Sequence, residues 1–515
     1  MHAFETILAV LLGAVLLSLV ARWLKAPFPP FLAVGGAAVA FMPFAPELRL
    51  DPELVLALFV APVLLDSSFD SSPRDLKRNI RPIAFLTLAT VGITVIAVAV
   101  TARWLEPQMG WAVAIALGAI VAPPDAAAAA AVLRAVPVPY RVRTILEGES
   151  LFNDGSSLLI YRFAIMAAAG GMAVGWSLAA TIVWALFGSV VFAIAAAWLT
   201  TRATRSITDA PSSILIQFIA TFGLWIAAER LGLSAIITVV VYGLTTARLA
   251  ARNSATLRAP SYAVWETVVF ALNAMAFAMV GLQIGPVWRA LEPAQHAEYA
   301  IFALAILAVA VVVRMAWVLG YNSAARLKNR VFGAHLAEGE SPPTVASGVI
   351  IGWAGMRGVV SLAAAYALPE NFPSRDLLLL STFAVVMGTL VIQGLTLGPL
   401  IKLLGAGDDG QLPEEIKKAR QLLTQAAFDH LKGLSGPIAG RLKDEYGDRL
   451  ESVHADIADD GRVELEGDQI RSELLEIERE ALLKLRTSGE IGEQAYYQIE
   501  EELDRHELAL IPVVR

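Results

Sequence analysis

Residues 147–157 read Glu147-Gly148-Glu149-Ser150-Leu151-Phe152-Asn153-Asp154-Gly155-Ser156-Ser157, inside an otherwise apolar stretch that runs from about 142 to 170. At about 100° per residue, Glu149, Ser150, Asn153, Asp154 and Ser157 share one helix face roughly 140° wide. With about 1.5 Å of rise per residue, Asp154 lies roughly 18 Å from the start of that helix. This is close to the middle of a hydrocarbon layer about 30 Å thick. A charged side chain there costs about 2.5–3.5 kcal/mol on insertion scales, so it is functional by default. A carboxylate with amide and hydroxyl neighbours suits a proton or a small hard cation, because both bind carboxylate oxygen.

The surrounding composition agrees with a membrane setting. Of 515 residues, 57% are apolar and 17% charged, and the mean hydropathy is +0.61; soluble chains carry about 45–50% and about 25%. The chain has no Cys and six scattered His, which excludes disulfide scaffolds, thiolate metal sites and Cys nucleophiles. No Gly-rich phosphate loop and no basic aromatic stripe is present, so nucleotide hydrolysis and nucleic-acid binding are not expected. Nothing in the sequence calls for an enzyme or a cofactor.

Thirteen segments of spanning length fit before Gly405: about 4–24, 27–44, 52–68, 81–104, 110–134, 142–170, 174–201, 211–230, 232–250, 262–284, 298–322, 345–368 and 376–404. The first has no basic residues before it and reads as a retained helix. Seventeen Lys/Arg fall in one set of alternate loops (Arg22, Lys25, Arg74, Lys77, Arg78, Arg81, Arg134, Arg141, Arg143, Arg202, Arg205, Arg248, Arg252, Arg258, Arg326, Lys328, Arg330) and five in the other (Arg49, Arg103, Arg230, Arg289, Arg375). This bias puts the N-terminus outside and the C-terminus in the cytoplasm of a multi-pass cell-membrane protein.

Two segments carry helix breakers. Pro123-Pro124-Asp125 interrupts the fifth, and Gly352, Gly355, Met356, Arg357 and Gly358 interrupt the twelfth. If spans one to six and eight to thirteen are halves, the broken spans hold the same place in each and the halves are inverted, a pointer to a site at crossed, discontinuous helices. Arg357 needs an anion at that depth, and Glu149 is the first candidate, Glu147 the second. Asp66, late in the third span, is either a further acid of the site or a cytoplasmic cap. Arg314 is read as reaching toward the cytoplasm, Glu266 as lying near its span's start, and Arg162 as an outer-end residue.

With Glu149-Ser150-Leu151-Phe152-Asn153-Asp154-Gly155, Asp125, Gly355-Met356-Arg357-Gly358, Pro62 to Asp66, Trp265-Glu266 and Asn273 in hand, residues 1 to 404 resemble a monovalent cation:proton antiporter of the NhaP/NHE type. The resemblance implies an all-α membrane protein of about 13 transmembrane helices with inverted repeats and crossed discontinuous helices, NhaA/NhaP-like, plus a cytoplasmic α-helical C-terminal domain. It implies that Asp154 binds cation and proton alternately, that Asn153 and Ser150 line the site, and that Asp125 stands at the unwound crossing as a second oxygen ligand of the transported cation. It also implies an acid at Asp66, a Glu149–Arg357 ion pair, and, from Asn153 before Asp154, electroneutral exchange. The substrates would be Na+ or another monovalent cation, including Li+ or K+, and H+, in a homodimer. Many relatives have Thr where this chain has Pro124, which removes a hydroxyl from the crossing. An ion-coupled transporter of an organic solute on the same fold is the alternative, and would want a roomier, more aromatic pocket.

Residues 405–515 differ in kind. They hold 26 Asp/Glu and 14 Lys/Arg, yet keep apolar helical spacing at Ile470, Leu474, Leu475, Ile477, Leu482, Leu483 and Leu485 and again at Tyr496, Tyr497, Ile499 and Leu503. An amphipathic helical hairpin or small bundle is expected, serving dimer contact, regulation or solubility.

Overall fold

Helix breakers organise this chain. The computed structural model describes residues 2–454 apart from 25, 44–51, 72, 134–137, 170–180, 182, 205–206, 251–254, 291, 293–294, 333–343 and 408–410; beyond 454 it describes only 474, 477, 478, 481, 482, 484, 499, 503 and 505. Among the described residues every regular element is helical. The sequence expectations for Lys25, Arg49, Arg134, Arg205, Arg252, Ile470, Leu475, Leu483, Leu485, Tyr496 and Tyr497 lie outside the described residues.

The order begins with α1 (His2–Trp23), α2 (Phe28–Ala40) and α3 (52–70, with a π-helical turn at Leu56–Val60). Then come α4 (Pro73–Arg78), α5 (Ile80–Leu105), α6 (Trp111–Val121), α7 (Ala126–Leu133) and α8 (Tyr140–Ala168). The next group is α9 (Trp184–Thr204), α10 (Ala210–Arg230), α11 (Ala235–Ala250), α12 (Ala255–Leu282) and α13 (Ile284–Ala290). The transmembrane order closes with α14 (His296–Phe332), α15 (Val345–Trp353), α16 (Val359–Tyr366) and α17 (Arg375–Leu403, with a π-helical turn at Thr389–Gln393).

Six helical stretches are long and apolar enough to cross a membrane by length and composition: Ile80–Leu105, Trp184–Thr204, Ala210–Arg230, Leu257–Arg289, His296–Val331 and Arg375–Leu403. Five shorter apolar ones join them: Ile7–Trp23, Phe28–Ala40, Leu56–Phe69, Trp111–Val121 and Ala235–Leu249. The site helix α8 is as long, 29 residues, but its polar face makes it less apolar than these. The breaks fall where Pro and Gly predict them, with residues 122–125 and 354–358 out of helix. Pro123 and Pro124 cannot donate to the ladder, and Pro disfavours helix in the residue before it. Asp209 opens α10 by accepting the Ser212 amide at 2.9 Å, which holds its carboxyl below the usual range.

Close approach substitutes for the hydrophobic effect where helices pack in lipid. Helices α2 and α12 cross on Gly36 and Gly281: a Cβ on Gly281 would stand 2.1 Å from the Ala33 carbonyl oxygen, and one on Gly36 2.2 Å from that of Ala278. Gly281→Ala therefore forces two backbones apart and is expected to cost about 1–3 kcal/mol or more, read as a lowered thermal-unfolding midpoint in detergent. Gly13→Ala in α1, where a Cβ meets nothing within 4 Å, is the control and is expected to be neutral.

The chain divides into two compact units, Met1–Asp409 and Gly410–Arg515. Within the second, α18 (Gln411–Lys432) and α19 (Pro437–His454) pack together, the chain turning at Gly436 with φ +128°. Asp429 accepts from Gln425 and Lys432, which holds its carboxyl low. Leu482 and Leu503 are buried.

Candidate functional site at the helix crossing

A broken membrane helix leaves unpaired amides at one new end and unpaired carbonyls at the other, with partial charges to match. This chain breaks two helices at one place, and side chains answer all four ends. Asp125 serves both N-terminal ends: Oδ1 accepts from the Ala128 amide of α7 at 3.1 Å, and Oδ2 from the Val359 amide of α16 at 3.2 Å. Its own amide donates to the Met356 carbonyl at 2.6 Å, tying the two unwound segments together. A Cβ on Gly358 would stand 1.5 Å from Asp125 Oδ2, so only glycine admits that carboxylate.

Two arginines serve the C-terminal ends. Arg357 Nε donates to the Val121 carbonyl that ends α6, at 3.0 Å, while its terminal nitrogens donate to Gly355 O and, at 3.4 Å, to Ala310 O. The Arg357 amide donates to Thr389 Oγ1 at 2.9 Å. Arg314 donates to the last carbonyls of α15, Gly352 O at 3.3 Å and Ile351 O at 3.2 Å.

The expected Glu149–Arg357 pair is corrected here. Glu149 is fully buried and takes a bidentate pair from Arg314, Nη1 to Oε1 at 2.6 Å and Nη2 to Oε2 at 3.0 Å, whereas among the described residues the Arg357 side chain bonds only to backbone carbonyls. The reading of Arg314 as reaching for the cytoplasm falls with it. Arg314 is 0% exposed and stands 18 residues from either end of the 37-residue α14, or about 27 Å at 1.5 Å per residue. A side chain does not span that. Extension of α14 to Phe332, ten residues past the drawn span end, is what turned an apparent rim position into a central one. Thr389 was also missed, since a threonine in an apolar run carries no signal of its own. Glu147, the second candidate, is exposed and pairs with Arg143 at 3.2 Å.

Asp154 itself is 4% exposed on α8, and among the described residues no hydrogen-bond donor reaches its carboxylate. Asp125 is near enough for the two charges to act on each other. Asn153 Nδ2 donates to Glu149 Oε1 at 3.2 Å, leaving Asn153 Oδ1 buried with no partner. Ser150 Oγ donates to the Pro124 carbonyl at 3.4 Å, so α8 touches the unwound segment directly. Pro124 lacks the threonine hydroxyl but keeps its carbonyl oxygen at the crossing. Asp66 is half-buried near the end of α3, which packs against α8. Glu266 is exposed, and Arg162 lies 3.6 Å from Glu229. The structure thus gathers the buried Glu149, Ser150, Asn153 and Asp154 and the half-buried Asp125 into one cluster with Arg314 and Arg357.

The chain as a whole is similar to known proteins. Residues 7–403 match the family described as sodium/hydrogen exchanger, transmembrane. A sodium, potassium, lithium and rubidium/H+ antiporter of Bacillus pumilus is 30% identical across 94% of this chain and 74% of its own length. An uncharacterized Na+/H+ exchanger of Mycobacterium bovis is 29% identical across 94% of this chain and 92% of its own. In fold, the chain is similar to the sodium proton antiporter MjNhaP1 from Methanocaldococcus jannaschii, with TM-score 0.59 and 17% identity over 79% of this chain and 100% of that one. A multi-pass membrane transporter rather than an enzyme, the chain belongs to the sodium/hydrogen exchanger family.

Proposed function

We propose that the chain exchanges one monovalent cation for one proton at Asp154, electroneutrally and by alternating access. The observation that supports this most is the state of Asp154: a buried carboxylate with no donor among the described residues. An isolated buried charge is costly, so the site is stable only when a proton or a cation is on it. Competition for one carboxylate then couples the two flows.

Charge balance in the cluster supports electroneutrality. Arg314 and Arg357 stand against Glu149, Asp125 and Asp154, all on elements that meet at the crossing. With Asp154 ionised and empty, one negative charge is in excess. A proton or a monovalent cation brings the cluster to neutrality, and only the neutral cluster moves cheaply through low dielectric. Asn153 and Ser150 line the site, with Asp125 as the second carboxylate of the cation's surroundings; Asp66, half-buried on α3, is an acid at the edge of the site and outside the buried charge count. Na+ is the cargo, with Li+ and K+ also accepted; the printed name of the Bacillus pumilus relative favours such breadth.

The same reading makes residues 1–404 the transport body, about thirteen spans in two inverted halves with the broken helices at matching places, and 405–515 a cytoplasmic tail. Loop charges support an outside N-terminus, and the working unit is a homodimer. Reconstituted in liposomes, the protein is expected to move protons against a cation gradient at a rate that an imposed membrane potential does not change. Current that follows cation addition contradicts electroneutrality.

A further inference from the structure

Helix α16 is held from outside itself at both ends. Its first amide, Val359, donates to Asp125. At the far end the Leu368 amide turns to Ala365 O at 3.3 Å, and the Ala364 carbonyl instead accepts from the Tyr161 hydroxyl at 2.7 Å. The next free carbonyls, Leu368 O and Tyr366 O, accept from Arg375 at 3.2 and 3.5 Å. Tyr161 is 5% exposed and stands on α8, seven residues beyond Asp154. Seven residues are about 10 Å and return to nearly the same helix face.

We infer that Tyr161 is a positioning residue for cation choice: through its hydroxyl on Ala364 it sets the spacing between the Asp154 helix and the Asp125 crossing. This rests on the proposal that Asp154 binds the cation. One rod, α16, has Asp125 at one end and Tyr161 near the other, and one helix, α8, carries both Tyr161 and Asp154. The Ser150 contact to Pro124 O, at 3.4 Å, closes the frame at the crossing and leaves the Tyr161 bond as its outer fastening.

Selection among cations of one charge depends on cavity size and on how rigidly the oxygens are held. A proton has no such size requirement. Loosening the frame therefore weakens cation binding and flattens the preference for one ion radius, while leaving turnover intact. An additional hydroxyl at the end of α16 gives the comparison: Tyr366 donates to Gln283 Oε1 at 3.0 Å, away from α8.

The test uses the full chain in liposomes with Li+, Na+, K+ and Rb+ in turn. Tyr161→Phe removes one hydroxyl and keeps the ring. The expected result is an apparent KM raised about three- to tenfold for the preferred ion, a maximal rate within about twofold, and a Rb+/Li+ KM ratio compressed at least about threefold toward one; tenfold corresponds to 1.4 kcal/mol. Tyr366→Phe is expected to keep the wild-type ratio. Cation protection against thermal unfolding in detergent, which needs no turnover, is expected to show the same flattening for Tyr161→Phe. A wild-type KM and ratio in Tyr161→Phe overturns the inference, as does equal flattening in Tyr366→Phe, or a fall in rate matched by loss of folded protein with the KM ratio unchanged. Asp154→Asn, assayed in parallel, separates this from the site assignment: its retained exchange sinks the assignment whatever Tyr161 does.

Discussion

Asp154→Asn is expected to abolish cation-driven proton movement while leaving a folded, and slightly more stable, protein. The carboxylate is the group that either cargo loads, and removing a charge partner from a buried site is worth several kcal/mol. With 1.4 kcal/mol to each tenfold, exchange should fall at least about a hundredfold. Stability moves the other way for a separate reason. Among the described residues nothing donates to the buried Asp154 carboxylate, so the amide breaks no hydrogen bond and removes a group that is costly to ionise there. Rate and unfolding midpoint measured on one preparation therefore diverge. A variant that loses both together would mark Asp154 as a structural group.

The second large effect concerns Arg314. Arg314→Leu leaves Glu149 buried with no cation bonded to it and strips donors from Gly352 O and Ile351 O. Breaking a buried pair by deleting one partner costs about 3–5 kcal/mol, a large share of a total stability of about 5–15 kcal/mol. Loss of folded protein on size-exclusion chromatography is the expected outcome. Glu149→Leu combined with Arg314→Leu should recover part of the loss, because an apolar replacement of both partners avoids the orphaned charge. The exchange Glu149→Arg with Arg357→Glu should recover nothing, since Arg357 works on Val121 O, Gly355 O and Ala310 O. Rescue by that exchange would contradict the pairing described here.

Much of the site was legible because charge is scarce in the spans. Glu149, Asn153 and Asp154 show through spacing alone, and Pro123-Pro124 and Gly355 to Gly358 mark the breaks through backbone chemistry that tertiary structure does not override. Pairing was not legible. Glu149 had two arginines within plausible depth, and choosing between them required the true length of α14 and the demand of α15 for a cap, neither written in local pattern. The hydroxyls of Thr389 and Tyr161 were hidden for a similar reason: each acts on a backbone group brought near by the crossing, and nothing in the flanking residues announces it. The whole helix count was a matter of drawing apolar windows, and α8, the helix that matters most, is the one whose polar face makes it a poor span by hydropathy.

The central claim is that cation and proton compete for Asp154. Measuring the apparent KM for Na+ across pH in liposomes tests it directly. A single shared site releases one proton per cation bound, so linkage requires the KM to rise about tenfold per unit fall in pH through the acidic range, at constant maximal rate. A KM independent of pH, with the maximal rate alone changing, would mean separate sites for the two ions and would contradict the account.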